Sequence, residues 1–192
     1  TWSFPALPTE LSAKIFLKLR EHPRLDAKID NGWRTRPDTE FHATAQKSLM
    51  DLHSEKCPEG FFPVYKGKSF NLWEPDKGDY FAFAFPGNVN SWLQNKRTKA
   101  NKGSRDSVHK EFEIEYVSDE TTLPCYKPRI AFRDITRATD KRTVIASLIP
   151  SGRYCQNSAP YLLWPSGDEL DEAFLLGVLC SIPLDWYARR FV

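Results

Sequence analysis

Two apolar runs in the C-terminal half of the chain constrain its fold more than any other feature. Residues Arg129–Phe132 and Thr143–Ile149 are rich in apolar and β-branched side chains, which predicts two strands joined by a connection. The connection carries four cations: Arg133, Arg137, Lys141 and Arg142. Such a loop can present guanidinium and ammonium groups to phosphates, or it can simply face water. On composition alone, the second alternative is the more common one.

Alternation and capping patterns predict the other elements. Strands are predicted over Phe61–Tyr65, Ser69–Trp73, Tyr80–Phe85 and Glu111–Tyr116. Helices are predicted from Thr9 to about Glu21, from the capping pattern at Ser166–Glu169 to about Cys180, and from Leu184 to Phe191. The second of these helices has a predicted buried face made of Leu170, Ala173, Phe174, Gly177 and Val178. The chain is therefore expected to be of the α/β class in an α+β-like form, with a mixed, mainly antiparallel sheet, an N-terminal helix and C-terminal helices.

The charge of the chain is unevenly distributed. The formal net charge is only +2, which by itself predicts no partner. Residues 96–110 nevertheless hold six Lys or Arg residues against a single Asp, with few apolar side chains to anchor them. This segment is predicted to be a mobile basic loop that contacts a DNA backbone. Its cations are Lys96, Arg97, Lys99, Lys102, Arg105 and Lys110.

Two other short segments could contact nucleic acid. Lys66 and Lys68 flank Gly67 between two predicted strands, and the glycine allows a tight turn from which both lysines project. As a plain surface turn, the same residues would merely be solvated. Trp33 lies close to two arginines and could meet a phosphate backbone, but it could equally fold into the core, which is the more common outcome.

Known catalytic motifs are absent from the sequence. No G-x-G occurs, and Asn157–Tyr161 lacks the Pro-Pro pair with which adenine methyltransferases hold a flipped base. Pro37-Asp38 is not followed by an acidic-x-Lys triplet, which argues against a metal-dependent nuclease. The four Cys and four His have no metal-ligand spacing. All four thiols are expected to be reduced in a cytoplasmic protein; a disulfide is the alternative, and no sequence pattern supports it. We expect no catalysis, cofactor or metal in this chain alone.

A family resemblance rests on several segments in order. The run PRIAFRDITRATDKRTVIASLIP, residues 128–150, is followed by NSAPYLLW and LLGVLCSIPLDWYARRFV. Together they resemble the C-terminal target-recognition region of adenine-specific DNA methyltransferases in bacterial restriction–modification systems. Type IIG and Type I single-polypeptide enzymes have this region, and methyltransferases of BREX-type phage-defence systems share its signature. FHATAQKSLM and FFPVYKGKSFNLW fit the same pattern, whereas residues 96–120 have no match in it.

The resemblance implies a DNA-recognition role. Residues 1–192 are expected to form a single target-recognition domain of a larger enzyme, because the chain begins without Met and its catalytic motifs are missing. S-adenosylmethionine is expected in the catalytic domain outside this chain. The expected partners are double-stranded DNA and the methyltransferase or nuclease domains, in the cytoplasm and without a membrane. The alternative is a protein-docking module of the same kind of defence complex, without direct base readout.

Charge and loop position select the expected DNA contacts within this framework. Guanidinium and ammonium groups on exposed loops are the side chains that neutralise phosphates. The expected contacts are Lys66, Lys68, Lys96, Arg97, Lys99, Lys102, Arg105, Arg133, Arg137, Lys141 and Arg142.

Overall fold

The computed structural model of the protein describes residues 5–30, 32–137 and 139–191. Its helices are α1 (Glu10–Arg20), α2 (Pro86–Lys102), α3 (Ile114–Ser118), α4 (Glu169–Leu179) and α5 (Ile182–Ala188). Its strands are β1 (Arg34–Asp38), β2 (Phe62–Tyr65), β3 (Ala82–Ala84), β4 (Arg129–Phe132), β5 (Ala146–Ile149), β6 (Tyr154–Cys155) and β7 (Tyr161–Ser166). Within these described ranges, no helix is both long and apolar enough to cross a membrane.

The strands form two sheets. The larger has the order β1-β7-β4-β5, and each of its neighbouring pairs is antiparallel. The smaller has the order β3-β2-β6, in which β2 pairs antiparallel with β3 and parallel with β6. The predicted α+β-like class, with mixed and mainly antiparallel pairing, an N-terminal helix and C-terminal helices, is therefore confirmed. The strands are divided between two sheets where a single sheet was expected.

The two apolar runs near residue 140 pair as predicted. β4 and β5 are antiparallel neighbours, with Ile130 opposite Leu148. β5 begins three residues later than predicted because the backbone N–H groups of Thr143 and Val144 donate to the Asp185 carboxylate at 2.6 and 2.8 Å. These two residues are held by α5, so they are not available to extend the strand pair.

Each sheet packs against its own helix. Val89 and Leu93 of α2 join the core that covers the smaller sheet, together with Val64 of β2. Leu175 of α4 joins Ile130 and other residues of the larger sheet in a second core. The predicted aromatic strand around Tyr80–Phe85 is shortened to β3; Tyr80, Phe81 and Phe83 pack in or against the core, whereas Phe85 is 42% exposed.

The predicted basic loop over residues 96–110 is helical in its first half. α2 continues to Lys102, and a short 3₁₀ helix, Val108–Glu111, follows after the Ser107 side chain caps it. The prediction was wrong because polar side chains, Arg97 and Asn101, anchor the second half of α2, whereas its apolar contacts, Val89 and Leu93, lie in the first half. Residues 111–116, predicted as a strand, instead end the 3₁₀ helix and begin α3.

Two other predicted details differ from the structure. Ser69–Trp73 is not a strand, because the backbones of Asn71 and Glu74 hydrogen-bond to each other and close a turn. α4 is capped by Asp168 and not by Ser166, since the Asp168 carboxylate accepts from the N–H groups of Leu170 and Asp171. The helix is capped within the predicted Ser166–Glu169 segment, but the cap is two residues later than expected.

The predicted buried face of α4 is wrong. Leu170 is 79% exposed and Phe174 is 66% exposed, whereas Leu175 is buried against the larger sheet. The sequence of α4 is apolar around most of its circumference, so periodicity alone could not identify the buried side. The outward side of α4 is consequently an exposed apolar surface.

Candidate nucleic-acid interface

The exposed side of α2 carries only polar and basic residues. α2 has 17 residues and contains no Asp or Glu. Its solvent-exposed stripe follows helical spacing from the first turn to the last and consists of Asn88, Ser91, Asn95, Lys99 and Lys102. We call these five residues the α2 face. At 1.5 Å per residue the helix is about 25 Å long, comparable to two-thirds of a turn of duplex DNA.

Buried polar side chains hold the inner side of α2. Arg97 is 4% exposed and donates to the carbonyl oxygens of Thr122 at 3.1 Å and Asp119 at 2.9 Å. Asn90 accepts a 2.7 Å hydrogen bond from the Tyr154 hydroxyl and donates to the Tyr126 oxygen at 2.5 Å. Because each of these groups has only one arrangement of partners, they fix the rotation of α2 about its axis.

The C-terminal end of α2 is anchored in the same manner. The side-chain amide of Asn101 donates to the carbonyl oxygens of His109 at 2.7 Å and Phe112 at 3.0 Å. This contact binds the 3₁₀ helix and the start of α3 to the end of α2. The exposed carboxylates of Glu113 and Glu115 follow directly, so negative charge lies next to the last turn of α2.

A network of ionisable groups lies beneath α2. The Lys96 ammonium turns inward and donates to the carbonyl oxygens of Thr39 at 2.5 Å and Glu40 at 3.1 Å. Asp38 and His109 meet at 3.0 Å. Burial alone would raise the pKa of Asp38, but the His109 hydrogen bond and the charge of Lys96 bring it below its ordinary value. Asp38 is therefore ionised near neutral pH.

A buried ion pair completes this network. The Arg129 guanidinium donates to the Glu40 carboxylate at 2.8 Å, and both side chains are at most 5% exposed. The second Glu40 oxygen accepts the Cys155 N–H at 2.7 Å. Burial by itself would lower the pKa of Arg129, but the charge of Glu40 holds it above its ordinary value.

The space inside the network is small. The void between Asp38, Lys96 and His109 measures about 10 Å³, which is at most the space of one water molecule. Its ionisable groups contact one another and backbone groups, although Arg129 Nε has no hydrogen-bond partner among the described residues. The network can therefore fix the position of α2.

The structure divides the eleven basic residues selected from the sequence into two groups. Five are engaged with other parts of the chain: Lys66, Lys96, Arg97, Arg133 and Arg142. Six are exposed: Lys68, Lys99, Lys102, Arg105, Arg137 and Lys141. Lys99 and Lys102 share the exposed stripe of α2, and Arg105 follows three residues after the helix ends. Lys68 belongs to a separate turn, and Arg137 and Lys141 lie in the β4–β5 connection.

The β4–β5 connection is partly held by α5. The Arg142 guanidinium donates to the carbonyl oxygens of Cys180 at 2.7 Å and Ser181 at 2.9 Å, which removes it from the exposed set. The Arg137 N–H donates to the Asp140 carboxylate at 2.8 Å, so a local turn closes in the middle of the connection. Ala138 lies outside the described residues. The side chains of Arg137 and Lys141 remain exposed.

The turn at Gly67 is fixed by close packing. The Gly67 N–H donates to the Ser158 hydroxyl at 3.0 Å, and a Cβ at this position would lie 2.8 Å from the Ser158 carbonyl oxygen. Any larger residue would therefore displace the backbone. The Lys66 ammonium pairs with Asp79 at 2.5 Å, which leaves Lys68 as the exposed cation of this turn.

Trp33 and the two arginines beside it are part of the folded framework. Trp33 packs against Trp164 with ring centroids 5.2 Å apart. Arg34 forms an ion pair with Glu111, and Arg36 forms one with Asp106 at 2.9 Å. The core alternative for Trp33 agrees with this packing. The two guanidinium groups are engaged with carboxylates of the chain itself.

Sequence reasoning missed Asn88, Ser91 and Asn95 as candidate contacts. A signal was present: Pro86 is typical of the first helical position, and Val89 and Leu93 have helical spacing. The following polar residues hid the continuation of the helix. Over the described residues, no cluster of His, Cys, Asp or Glu could hold a metal ion, and the four cysteines are free.

The comparisons with known proteins add no relatives. No family model matches the chain, and no curated protein matches it. The α2 face is therefore the observation on which a functional proposal has to rest.

Proposed function

We propose that this chain binds duplex DNA by placing the α2 face in the major groove. The observation that carries the proposal is a rigidly anchored helix of 17 residues that has no acidic side chain and exposes amides, a hydroxyl and ammonium groups along one stripe. The major groove admits a single α-helix and displays hydrogen-bonding base edges to it. Lys99 and Lys102 supply the positive charge that attracts phosphates.

The residues of the α2 face have two different roles in this proposal. Asn88, Ser91 and Asn95 contact base edges, because Asn can donate to and accept from the same adenine and Ser can bond to several bases. Lys99 and Lys102 contact phosphates, as does Arg105 just after the helix. Asn88 and Asn95 are seven residues apart, or about 10 Å along the helix, which corresponds to about three base-pair steps.

The distribution of negative charge limits how the helix can approach DNA. Glu113 and Glu115 are exposed next to the end of α2, so the docked orientation keeps α3 away from the phosphate backbone. With a net charge of only +2, long-range attraction to DNA is weak. Lys68, Arg137 and Lys141 provide further phosphate contacts only where the bound DNA reaches them.

The broader role follows from the family resemblance. We propose that the chain is the target-recognition domain of an adenine-specific DNA methyltransferase or restriction–modification enzyme. The catalytic domains, with S-adenosylmethionine, would then act on the DNA that this domain positions. The support within this chain is the resemblance of residues 128–150 and the segments around them, together with the α2 face.

Fluorescence anisotropy with a labelled random duplex, titrated at several salt concentrations, tests this proposal. Each phosphate contact contributes about 0.9 to the negative slope of log affinity against log salt. Lys99→Glu with Lys102→Glu should therefore weaken binding and reduce the slope by about 2. Asn88→Ala with Asn95→Ala should leave the slope unchanged and relax the base preference obtained by selection from a randomised duplex library.

A matched control separates this effect from net charge. Lys47→Glu with Lys56→Glu changes the net charge by the same amount at two exposed positions outside α2. This control should weaken binding much less than the α2 variant. Equal weakening by both double variants would mean that no specific face binds DNA. Absence of binding at low salt in the full-length protein would contradict the proposal.

A further inference from the structure

Asp106 is a negative charge in the basic segment at the end of α2. It is the only acidic residue between positions 96 and 110, and it directly follows Arg105. Four positions separate it from Lys102, the last residue of α2. The contacts of this carboxylate therefore decide how positive the end of α2 is toward an approaching DNA strand.

The Arg36 guanidinium holds Asp106 in the geometry that arginine also uses for phosphate. Its Nη1 donates to one carboxylate oxygen at 3.1 Å, and its Nη2 donates to the other at 2.9 Å. Two such parallel hydrogen bonds fit the oxygens of a phosphate as well as those of a carboxylate. The hydrogen bond from Arg36 lowers the pKa of Asp106, and the charges of Arg34 and Lys110 act in the same direction. Asp106 is therefore ionised at neutral pH and lies where a phosphate would bind.

The two carboxylates beside Arg36 are not equally fixed. The Glu111 side chain is 23% exposed, and it pairs with Arg34 and also with Arg36 at 3.5 Å. The Asp106 side chain is 83% exposed. An ion pair with so exposed a partner is screened by water and salt, and it contributes little to stability. Glu111 can therefore keep Arg36 oriented after Asp106 has left it.

The backbone around Asp106 can move without disturbing the core. Ser104, Arg105 and Asp106 are all exposed. On either side of them the chain is anchored, because the Asn101 amide donates to the His109 carbonyl at 2.7 Å and the His109 N–H donates to the Ser107 hydroxyl at 3.3 Å. Displacement of Asp106 is thus confined to a few exposed residues between two anchored helices.

Arg36 lies within reach of the DNA strand that α2 is proposed to contact. Four residues of extended chain span at most about 14 Å, so the Cα atoms of Lys102 and Asp106 are no further apart than that. One strand of duplex DNA carries a phosphate for about every 3.4 Å of helix axis. A strand that passes Lys102 and Arg105 therefore offers a further phosphate to Arg36.

We propose that Arg36 is a further phosphate contact, and that Asp106 occupies it until DNA binds. A phosphate then takes both hydrogen bonds of the Arg36 guanidinium, and Asp106 turns into solvent. A ligand that also reaches Lys99 and Lys102 can displace the carboxylate, because its other contacts hold it in place at a high effective concentration. The pair thereby favours a polyanion over single anions. This inference rests on the DNA binding proposed for α2.

A charge-neutral double variant tests the proposal by fluorescence anisotropy with a labelled random duplex. Arg36→Gln with Asp106→Asn removes the pair and leaves the net charge unchanged. We expect weaker binding than in the wild type and a salt slope smaller by about 0.9, because one phosphate contact is lost. Asp106→Asn alone should bind several-fold tighter, because the phosphate meets no competing carboxylate. Glu55→Gln, at an exposed carboxylate outside residues 96–111, removes the same charge and should stay close to the wild type.

The outcomes separate this inference from the proposed function. A folded double variant, checked by its unfolding midpoint, with the affinity and slope of the wild type would show that Asp106 stays on Arg36, and would overturn the inference. Equal gains for Asp106→Asn and Glu55→Gln would do the same. Both results would leave DNA binding by α2 standing, because the Lys99→Glu, Lys102→Glu variant tests it separately. Absence of wild-type binding at low salt would overturn both proposals.

Discussion

α2 and α4 each cover one sheet, but they distribute polarity in opposite ways. The inner side of α2 is held by hydrogen bonds of Asn90 and Arg97, and its outer side is polar and basic. The inner side of α4 is apolar around Leu175, and its outer side exposes Leu170 and Phe174. α2 combines the apolar contacts of Val89 and Leu93 with polar anchors on its inner side and is polar outside, whereas α4 is apolar on its inner side and exposes apolar residues outside.

This difference indicates what each outer surface is suited to bind. The buried polar anchors fix the rotation of α2 about its axis. The same side of the helix therefore always faces solvent, and it can consist of hydrogen-bonding groups without any apolar residue. An apolar interior needs no such partners, and the exposed apolar side of α4 remains costly until another surface covers it. The α2 face suits a polyanion, whereas the outer side of α4, with Leu170 and Phe174, is an apolar surface.

Removal of the central anchor of α2 should produce the largest effect. Arg97→Ala removes a buried guanidinium and its hydrogen bonds to the carbonyl oxygens of Thr122 and Asp119, so we expect a loss of about 4 kcal/mol in the free energy of unfolding. Lys99→Ala, two residues further along the same helix, should change it by at most about 0.5 kcal/mol. Urea denaturation of both variants measures this contrast, and a loss below about 1 kcal/mol for Arg97→Ala would show that α2 is held in another way.

The two sides of α4 should respond very differently to substitution. Leu175→Ala removes a buried side chain, which should lower the free energy of unfolding by about 3 kcal/mol. Phe174→Ser, next to it but 66% exposed, should cost at most about 0.5 kcal/mol. Denaturation curves recorded side by side test this. If Phe174→Ser cost as much as Leu175→Ala, the outer side of α4 would be part of the core.

Asp38, beneath α2, and Glu172, on α4, should make opposite contributions to the pH dependence of stability. The lowered pKa of Asp38 gives stability that is present above its unfolded pKa of about 3.9 and is lost as the pH falls through the folded value. Burial, aided by the charge of Glu169, raises the pKa of Glu172 despite its bond to the Ile130 N–H. Its contribution is present below about 4.3 and is lost as the pH rises through the folded value.

Conservative amide variants separate these two contributions. Asp38→Asn should be less stable than the wild type at neutral pH, and the difference should shrink as the pH is lowered below about 4. Glu172→Gln should match the wild type in acid and gain relative to it as the pH rises above about 4. Thermal unfolding across this pH range measures both. If the difference in stability from the wild type changed with pH in the same direction for both variants, the two pKa assignments would be contradicted.

Trp73→Gly should have the smallest effect on stability, and a favourable one. Glycine adopts the left-handed backbone conformation of this residue without strain, so we expect a gain of up to about 1 kcal/mol in the free energy of unfolding. The matched change Trp33→Gly, at a half-buried ring that packs on Trp164, should be strongly destabilising. A loss of more than about 1 kcal/mol for Trp73→Gly would mean that its ring supports the core.

Some of these structural elements could be predicted from the sequence, and others could not. The β4–β5 pair followed from its apolar β-branched runs, and the first helix followed from the Thr9 cap. α2 was hidden because its anchors, such as Arg97 and Asn101, look like loop residues until their carbonyl partners are known. The existence of α4 was predictable, but its buried side was not, because apolar residues surround it. Glu40 and Arg129 are 89 residues apart, so no local pattern could pair them.

Chemical-shift mapping of the isotope-labelled chain with a short duplex tests the central claim most directly. The account predicts perturbed signals for Asn88, Ser91, Asn95 and Lys99, with the Trp73 indole and Gly177 unchanged. Perturbation centred on Trp73 and Gly177, or spread evenly over every exposed cation, would contradict the assignment of DNA binding to α2.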